Sequence, residues 1–185
     1  MKRRMTAVCV VLLMLASIAV AQTPPQMPKP APEVKRLQYF VGTWNTAFDM
    51  KPGPMGPGGK MTGVERTEMM KGGFYLTSHV DGRGFMGEFK ELSVIGYDPE
   101  EKVYTLNAFN SFGEHLRAKG TVQGDTWTWT ADINMAGKPM KTRFTLKEVS
   151  PTSYTGKLEI ETDSGWTTAM EGKATKVSGR SPRKK

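Results

Sequence analysis

From Gly42 to Lys176 the side chains alternate in character with period two, and short clusters of Gly, Pro, Asn, Asp and Ser interrupt the alternation again and again. A strand sends successive side chains to opposite faces, so period two is the signature of half-buried strands. The clearest stretch is Thr126 to Asn134. Trp127, Trp129, Ala131 and Ile133 face one way, and Thr126, Thr128, Thr130 and Asp132 the other. Trp44, Thr46, Phe48 and Met50 form one face of the first segment, and Met140, Thr142, Phe144 and Leu146 one face of a later one. The opposite faces are charged or Thr-rich, as in antiparallel sheets with one solvated side.

The breaks fall at Lys51–Lys60, Gly72-Gly73, Asp81–Gly84, Asp98–Glu101, Ser111–Gly113, Gln123–Asp125, Ala136–Lys138, Ser150–Thr152 and Thr162–Gly165. That spacing predicts an all-β domain of roughly ten strands. A meander with one apolar face must bury it, and closing on itself does so while removing the sheet edges. The expected fold is therefore a ten-stranded antiparallel barrel. A two-sheet sandwich is the alternative that turn spacing alone leaves open. Before the first strand, Leu37, Phe40 and Val41 fall at helical spacing between Pro32 and Gly42, which predicts one short helix over Glu33–Val41 at a mouth of the barrel.

The flanks are of another kind. Lys2, Arg3 and Arg4 precede an apolar run from Ala7 to Val20, and Ala19-Val20-Ala21 supplies small residues for a peptidase. The run is too short to span a bilayer and reads as a secretory signal peptide over 1–21, cut after Ala21. Residues 22–32 hold Pro24, Pro25, Pro28, Pro30 and Pro32 and read as an extended spacer. The single domain is expected over 33–176, followed by a basic, disordered tail over 177–185. Cleavage would remove Cys9, the only cysteine, leaving an exported periplasmic or secreted protein without a disulfide.

Net charge is +8, but three of the 26 basic residues lie in the signal and four (Arg180, Arg183, Lys184 and Lys185) in the tail. The 19 that remain face 18 acidic residues, so the domain carries no nucleic-acid footprint. No transmembrane segment is expected after cleavage, and nothing in the sequence sets an oligomeric state.

Catalytic and metal chemistry find little support. The two histidines, His79 and His115, fall on polar, outward faces. No ligand spacing suggests zinc or iron, no Gly-x-Ser-x-Gly is present, and Gly82-Arg83-Gly84 and Gly56-Pro57-Gly58-Gly59 precede no helix and so make no phosphate loop. Met50, Met140 and Met170 lie on apolar faces, where methionine is a filler rather than a copper ligand. No catalytic residue, metal or cofactor is assigned. The apolar phase is more informative. It gathers Trp44, Phe48, Tyr104, Leu106, Leu116, Trp127, Trp129, Phe144, Leu158, Trp166 and Met170, with Thr46, Ser78, Asn110, Thr142 and Thr168 as sparse polar companions. Barrels of this size are wide enough to enclose a ligand.

Several stretches carry a resemblance. Leu37 to Trp44 runs from a helix into a strand, Gly72-Gly73-Phe74-Tyr75-Leu76 is a Gly-Gly-aromatic strand start, Ile95-Gly96-Tyr97-Asp98-Pro99 is a marked turn, and Gly165-Trp166 with Glu171-Gly172-Lys173 forms a closing strand. In order and spacing, from about Pro32 to Lys176, they resemble the exported bacterial family of domain of unknown function 1579, and more distantly the calycin barrels: lipocalins, fatty-acid-binding proteins and nitrobindin-like proteins. The resemblance implies a lipocalin-like barrel and leaves activity undefined. Lipocalins stack a late arginine on the opening tryptophan, whereas here Lys173 and Lys176 are the late cations. Nitrobindin-like barrels hold haem through a histidine near the C-terminus, and no histidine follows His115.

The expected function is binding of a small apolar or amphipathic ligand, with Trp44, Phe48, Tyr104, Trp127, Trp129, Phe144, Leu158 and Met170 as the binding residues; the Lys51–Lys60 loop reads equally as a lid or as a tolerated insertion. The alternative is a filled barrel serving as an envelope interaction module. An enzyme acting on a lipid-like substrate would need titratable groups on the inward phase, such as Glu65, Glu68 or Glu91 beside a histidine, and that phase is expected to offer almost none.

Overall fold

A computed structural model describes residues 27–135 and 137–177. The signal-peptide and tail expectations fall on 1–21 and, beyond Val177, on 178–185, outside the described residues. Ten strands follow one 3-10 helix, Pro32–Phe40. They are β1 (Gly42–Met50), β2 (Gly59–Met69), β3 (Leu76–Gly84), β4 (Gly87–Asp98), β5 (Val103–Asn110), β6 (His115–Gln123), β7 (Thr126–Met135), β8 (Lys138–Ser150), β9 (Ser153–Thr162) and β10 (Gly165–Lys176). Each pairs antiparallel with its neighbours in sequence, and β1 pairs with β10, so the meander closes into a barrel. β1 and β10 pair from Trp44 opposite Lys176 to Met50 opposite Met170.

The expected short helix is present as a 3-10 helix. Three residues per turn place i and i+3 directly above one another. Val34, Leu37 and Phe40 therefore form one row, and it lies on the end of the barrel. Val34 and Leu37 are buried there with Trp44, Leu76, Tyr104, Trp127, Leu146, Tyr154 and Ala174. The next row ties the helix to the strand ends. Tyr104 donates its hydroxyl to Glu33 O at 2.9 Å. Arg36 pairs with Glu148 at 2.9 Å and donates to Gly124 O at 2.8 Å. The Tyr39 hydroxyl lies 2.9 and 2.8 Å from the carbonyls of Ser150 and Ser153. Burial and the neighbouring Glu148 push that hydroxyl up to about 12, so it remains a donor.

The tryptophans at this end spend their N–H groups locally. Trp44 donates to Phe40 O at 2.7 Å and Trp127 to Glu148 Oε1 at 2.7 Å. Of the late cations, Lys176 meets the opening tryptophan. Its ammonium lies 4.8 Å from the Trp44 ring and donates to Tyr39 O at 3.2 Å, a cation–π contact made by a point charge rather than a planar one.

Two local expectations are overturned. Asp81–Gly84 does not break the chain, because β3 runs through it to Gly84. Gly82 faces inward in register with Phe89, whose ring occupies the space a side chain would take. Asp81 on the outer face holds Arg66 at 2.7 Å and Lys90 at 2.6 Å. Trp166 and Thr168 do not face inward. A bulge between Thr168 and Met170 shifts the phase of β10, leaving Met170, Gly172 and Ala174 inside. Trp166 is 38% exposed on the outer wall, with the Arg143 guanidinium 4.4 Å from its ring.

Candidate functional site

The aromatic side chains inside the barrel do not fill it. Gly120 pairs with Trp129 across β6 and β7, and a β-carbon there would lie 2.5 Å from Trp129 Cε3. One at Gly156 would lie 2.6 Å from Phe144 Cζ and 2.8 Å from Phe48 Cε1. Gly172 and Gly82 sit likewise beneath Phe48 and Phe89. Four rings thus rest against glycine positions, the cross-strand arrangement by which aromatics cover bare strand positions. With the rings drawn onto the wall, the centre remains open.

The result is a cavity of about 430 Å³, within the range of small-molecule sites. Phe48, Met61, Phe89, Leu116, Trp129, Phe144, Leu158 and Met170 line it, and Phe40 of the 3-10 helix forms part of its floor. Of the eight residues expected to bind ligand, Phe48, Trp129, Phe144, Leu158 and Met170 are brought together on this surface. Trp44, Tyr104 and Trp127 belong instead to the packed plug under the helix. Burial keeps the Tyr104 hydroxyl above its usual range. None of Lys51–Gly58 lines the cavity. The loop is anchored by Lys51, whose N–H donates to Ala169 O at 2.8 Å and whose ammonium pairs with Glu171 at 2.8 Å, and Gly56 rests against the Phe85 ring.

One wall is polar, and sequence reasoning missed it. Glu65 on β2 is in register with Val80 on β3, and Val80 with Glu91 on β4. All three face the cavity. The adjacent row, Thr67, Ser78 and Ser93, supplies hydroxyls. Ser78 donates to Glu65 Oε1 at 2.7 Å, Tyr154 donates to Glu65 Oε2 at 3.2 Å, and Ser93 donates to Glu91 Oε1 at 3.0 Å. Burial raises the Glu91 carboxyl above its usual range, against the Ser93 hydrogen bond, and the charges of Glu65 and Glu114 raise it further. Burial, then Glu65, drives the Tyr154 hydroxyl well above 10. Contrary to expectation, the inward phase carries two carboxyl groups. The signal was available: Glu65 shares phase with Met61 and Met69, and Glu91 with Phe89 and Ile95.

Among the described residues no histidine lines the cavity. His115 stacks on Phe109 on the outer face at 4.3 Å, and His79 is exposed. Among the described residues no three of His, Cys, Asp or Glu gather to hold a metal, and no helix is long and apolar enough to cross a membrane. The arrangement suits reversible binding of a molecule with an apolar body and a polar end.

A family model described as "Protein of unknown function (DUF1579)" matches residues 29–176. Among solved structures, the chain is similar to Rv2717c from M. tuberculosis, with a TM-score of 0.55 and 12% identity over 81% of this chain and 100% of that one. At that identity the likeness concerns the fold. No curated protein matches the chain.

Proposed function

The chain belongs to the DUF1579 family, and on that premise we propose that it is an exported binding protein whose barrel holds one small amphipathic molecule. The observation that carries the reading is the cavity of about 430 Å³ with an aromatic wall facing a carboxyl and hydroxyl wall. Apolar lining with a few placed polar groups is what orients a small ligand. Phe48, Trp129, Phe144, Leu158 and Met170 pack its body. The open interior weighs against a filled barrel acting only as an envelope interaction module. Export rests on the basic start, the apolar run Ala7 to Val20 and Ala19-Val20-Ala21.

The test is native mass spectrometry, then solvent extraction, of protein purified from the envelope of its own host. The expected result is a mature chain beginning at Gln22 with a small molecule bound, and a change in Trp129 emission when the extracted protein is reloaded. A chain that yields no small molecule, and whose fluorescence responds to no amphiphile, would refute the binding reading. An uncleaved N-terminus would refute the export reading.

A further inference from the structure

The polar wall has an uneven charge account. Glu65 and Glu91 both face the cavity, and among the described residues no Lys, Arg or His lines it. Two strand spacings separate their backbones, roughly 10 Å, so a small group can lie between the two side chains. Glu65 already accepts from Ser78, Tyr154 and, at 3.4 Å, Thr67. Glu91 accepts from Ser93 alone among the described residues, leaving most of its capacity of about four acceptor sites open toward the cavity. The outer carboxylates behave differently: Asp81 and Glu159 each hold two cations. Among the described residues, the inner wall is where carboxyl groups gather facing a cavity without a counter-charge.

Burying an unpaired carboxylate is costly, and two near one another compound the cost. A ligand with N–H donors and positive charge removes both penalties. A ligand with its own carboxylate adds a third negative charge where the dielectric is low. Across the cavity, the faces of Phe48, Trp129 and Phe144 take apolar carbon and tolerate a cation. We propose, building on the binding reading above, that the molecule held in the barrel is an organic ammonium, its cationic nitrogen seated between Glu65 and Glu91 and its apolar body against the aromatic wall. The barrel is thus an amine-selecting site that discriminates against fatty acids.

The experiment compares three probes that share a tail and differ in head group: octylamine, octanol and octanoate. Their binding to the mature chain is measured at neutral pH by calorimetry and tryptophan fluorescence. Octylamine is expected to bind at least about tenfold more tightly than octanol, and octanoate more weakly than either. In Glu65→Gln and Glu91→Gln, each verified as folded by circular dichroism, the ratio of octylamine to octanol affinity should shrink toward one. Equal binding of amine and alcohol, tighter binding of octanoate, or a preference untouched by both substitutions would overturn the ammonium assignment and leave the binding reading standing. Failure of all three probes to bind would overturn both.

Discussion

The glycine seats beneath the aromatic rings make a prediction whose sign is unusual. Alanine is ordinarily better than glycine in a strand, by about 0.5–1 kcal/mol, because it loses less backbone entropy on folding. At Gly120 the sign should invert. The added carbon would lie 2.5, 2.6 and 2.9 Å from Trp129 Cε3, Cζ3 and Cδ2, whereas carbon atoms rest at about 3.5–4.0 Å. The ring must therefore lift by about 1 Å into the cavity, an overpacking that costs about 1–3 kcal/mol. In a Trp129→Leu background the obstacle is gone, and Gly120→Ala should stabilise by about 0.5–1 kcal/mol. The coupling between the two sites is then about 1.5–4 kcal/mol, from the middle of the range contacting residues show to past its upper end. Urea unfolding followed by circular dichroism at all four corners of the cycle measures it. If Gly120→Ala stabilises both backgrounds alike, the ring does not rest on the glycine, and the account of how the cavity stays open fails.

Other expectations concern charge and the plug. Glu91→Gln should raise stability at neutral pH by on the order of 1 kcal/mol, because it removes a carboxyl whose ionised form is disfavoured by burial. With a folded-state pKa raised, Glu91 in the wild type favours folding most below the unfolded carboxylate range and loses that contribution as pH rises through the raised value, so the glutamine variant should lose less stability between acid and neutral pH. Glu159 should act in the opposite sense. Burial alone would raise it, but hydrogen bonds from Lys157 and Arg143 outweigh burial and lower it, so its contribution is present above the unfolded carboxylate range and lost as pH falls through the lowered value. Glu159→Gln should therefore destabilise at neutral pH and flatten the loss on acidification, read by thermal melts across pH. Trp127→Phe removes the N–H that Glu148 accepts at 2.7 Å and should cost about 1–3 kcal/mol; a variant as stable as wild type would show that Arg36 alone satisfies Glu148.

Much of the barrel was legible because period two is a local signal. The inward set of β7 and β8 could be read from Trp127, Trp129, Phe144 and Leu146 without knowing a partner strand. The plug was legible only in part. Val34, Leu37 and Phe40 repeat every three residues, a 3-10 period readable as such, yet helix spacing drew attention to Val41 instead. Trp166 was misplaced because a one-residue bulge inverts every later side chain in a strand, and nothing in Thr167 to Met170 announces it. The carboxyl wall was missed for a physical reason. Charged residues are rarely inside, so Glu65 and Glu91 were not given the phase their own strands assign them. The glycine seats needed cross-strand register, which pairs Gly120 with Trp129 and Gly172 with Phe48 but is set by turns distant in sequence.

The seam between the first and last strands has a consequence for synthesis and folding. β1 waits for a partner that lies at the far end of the chain, since Trp44 meets Lys176 and Met50 meets Met170. Until β10 has emerged, β1 and β9 both present bare edges, the surfaces through which chains stick to one another. Such distant pairing also makes closure slow, because the long loop must be ordered before the seam rewards it. The last twelve residues of the barrel, Gly165–Lys176, therefore act as its latch. A chain cut before them should aggregate rather than fold into a nine-stranded form, its β1 and β9 edges left bare.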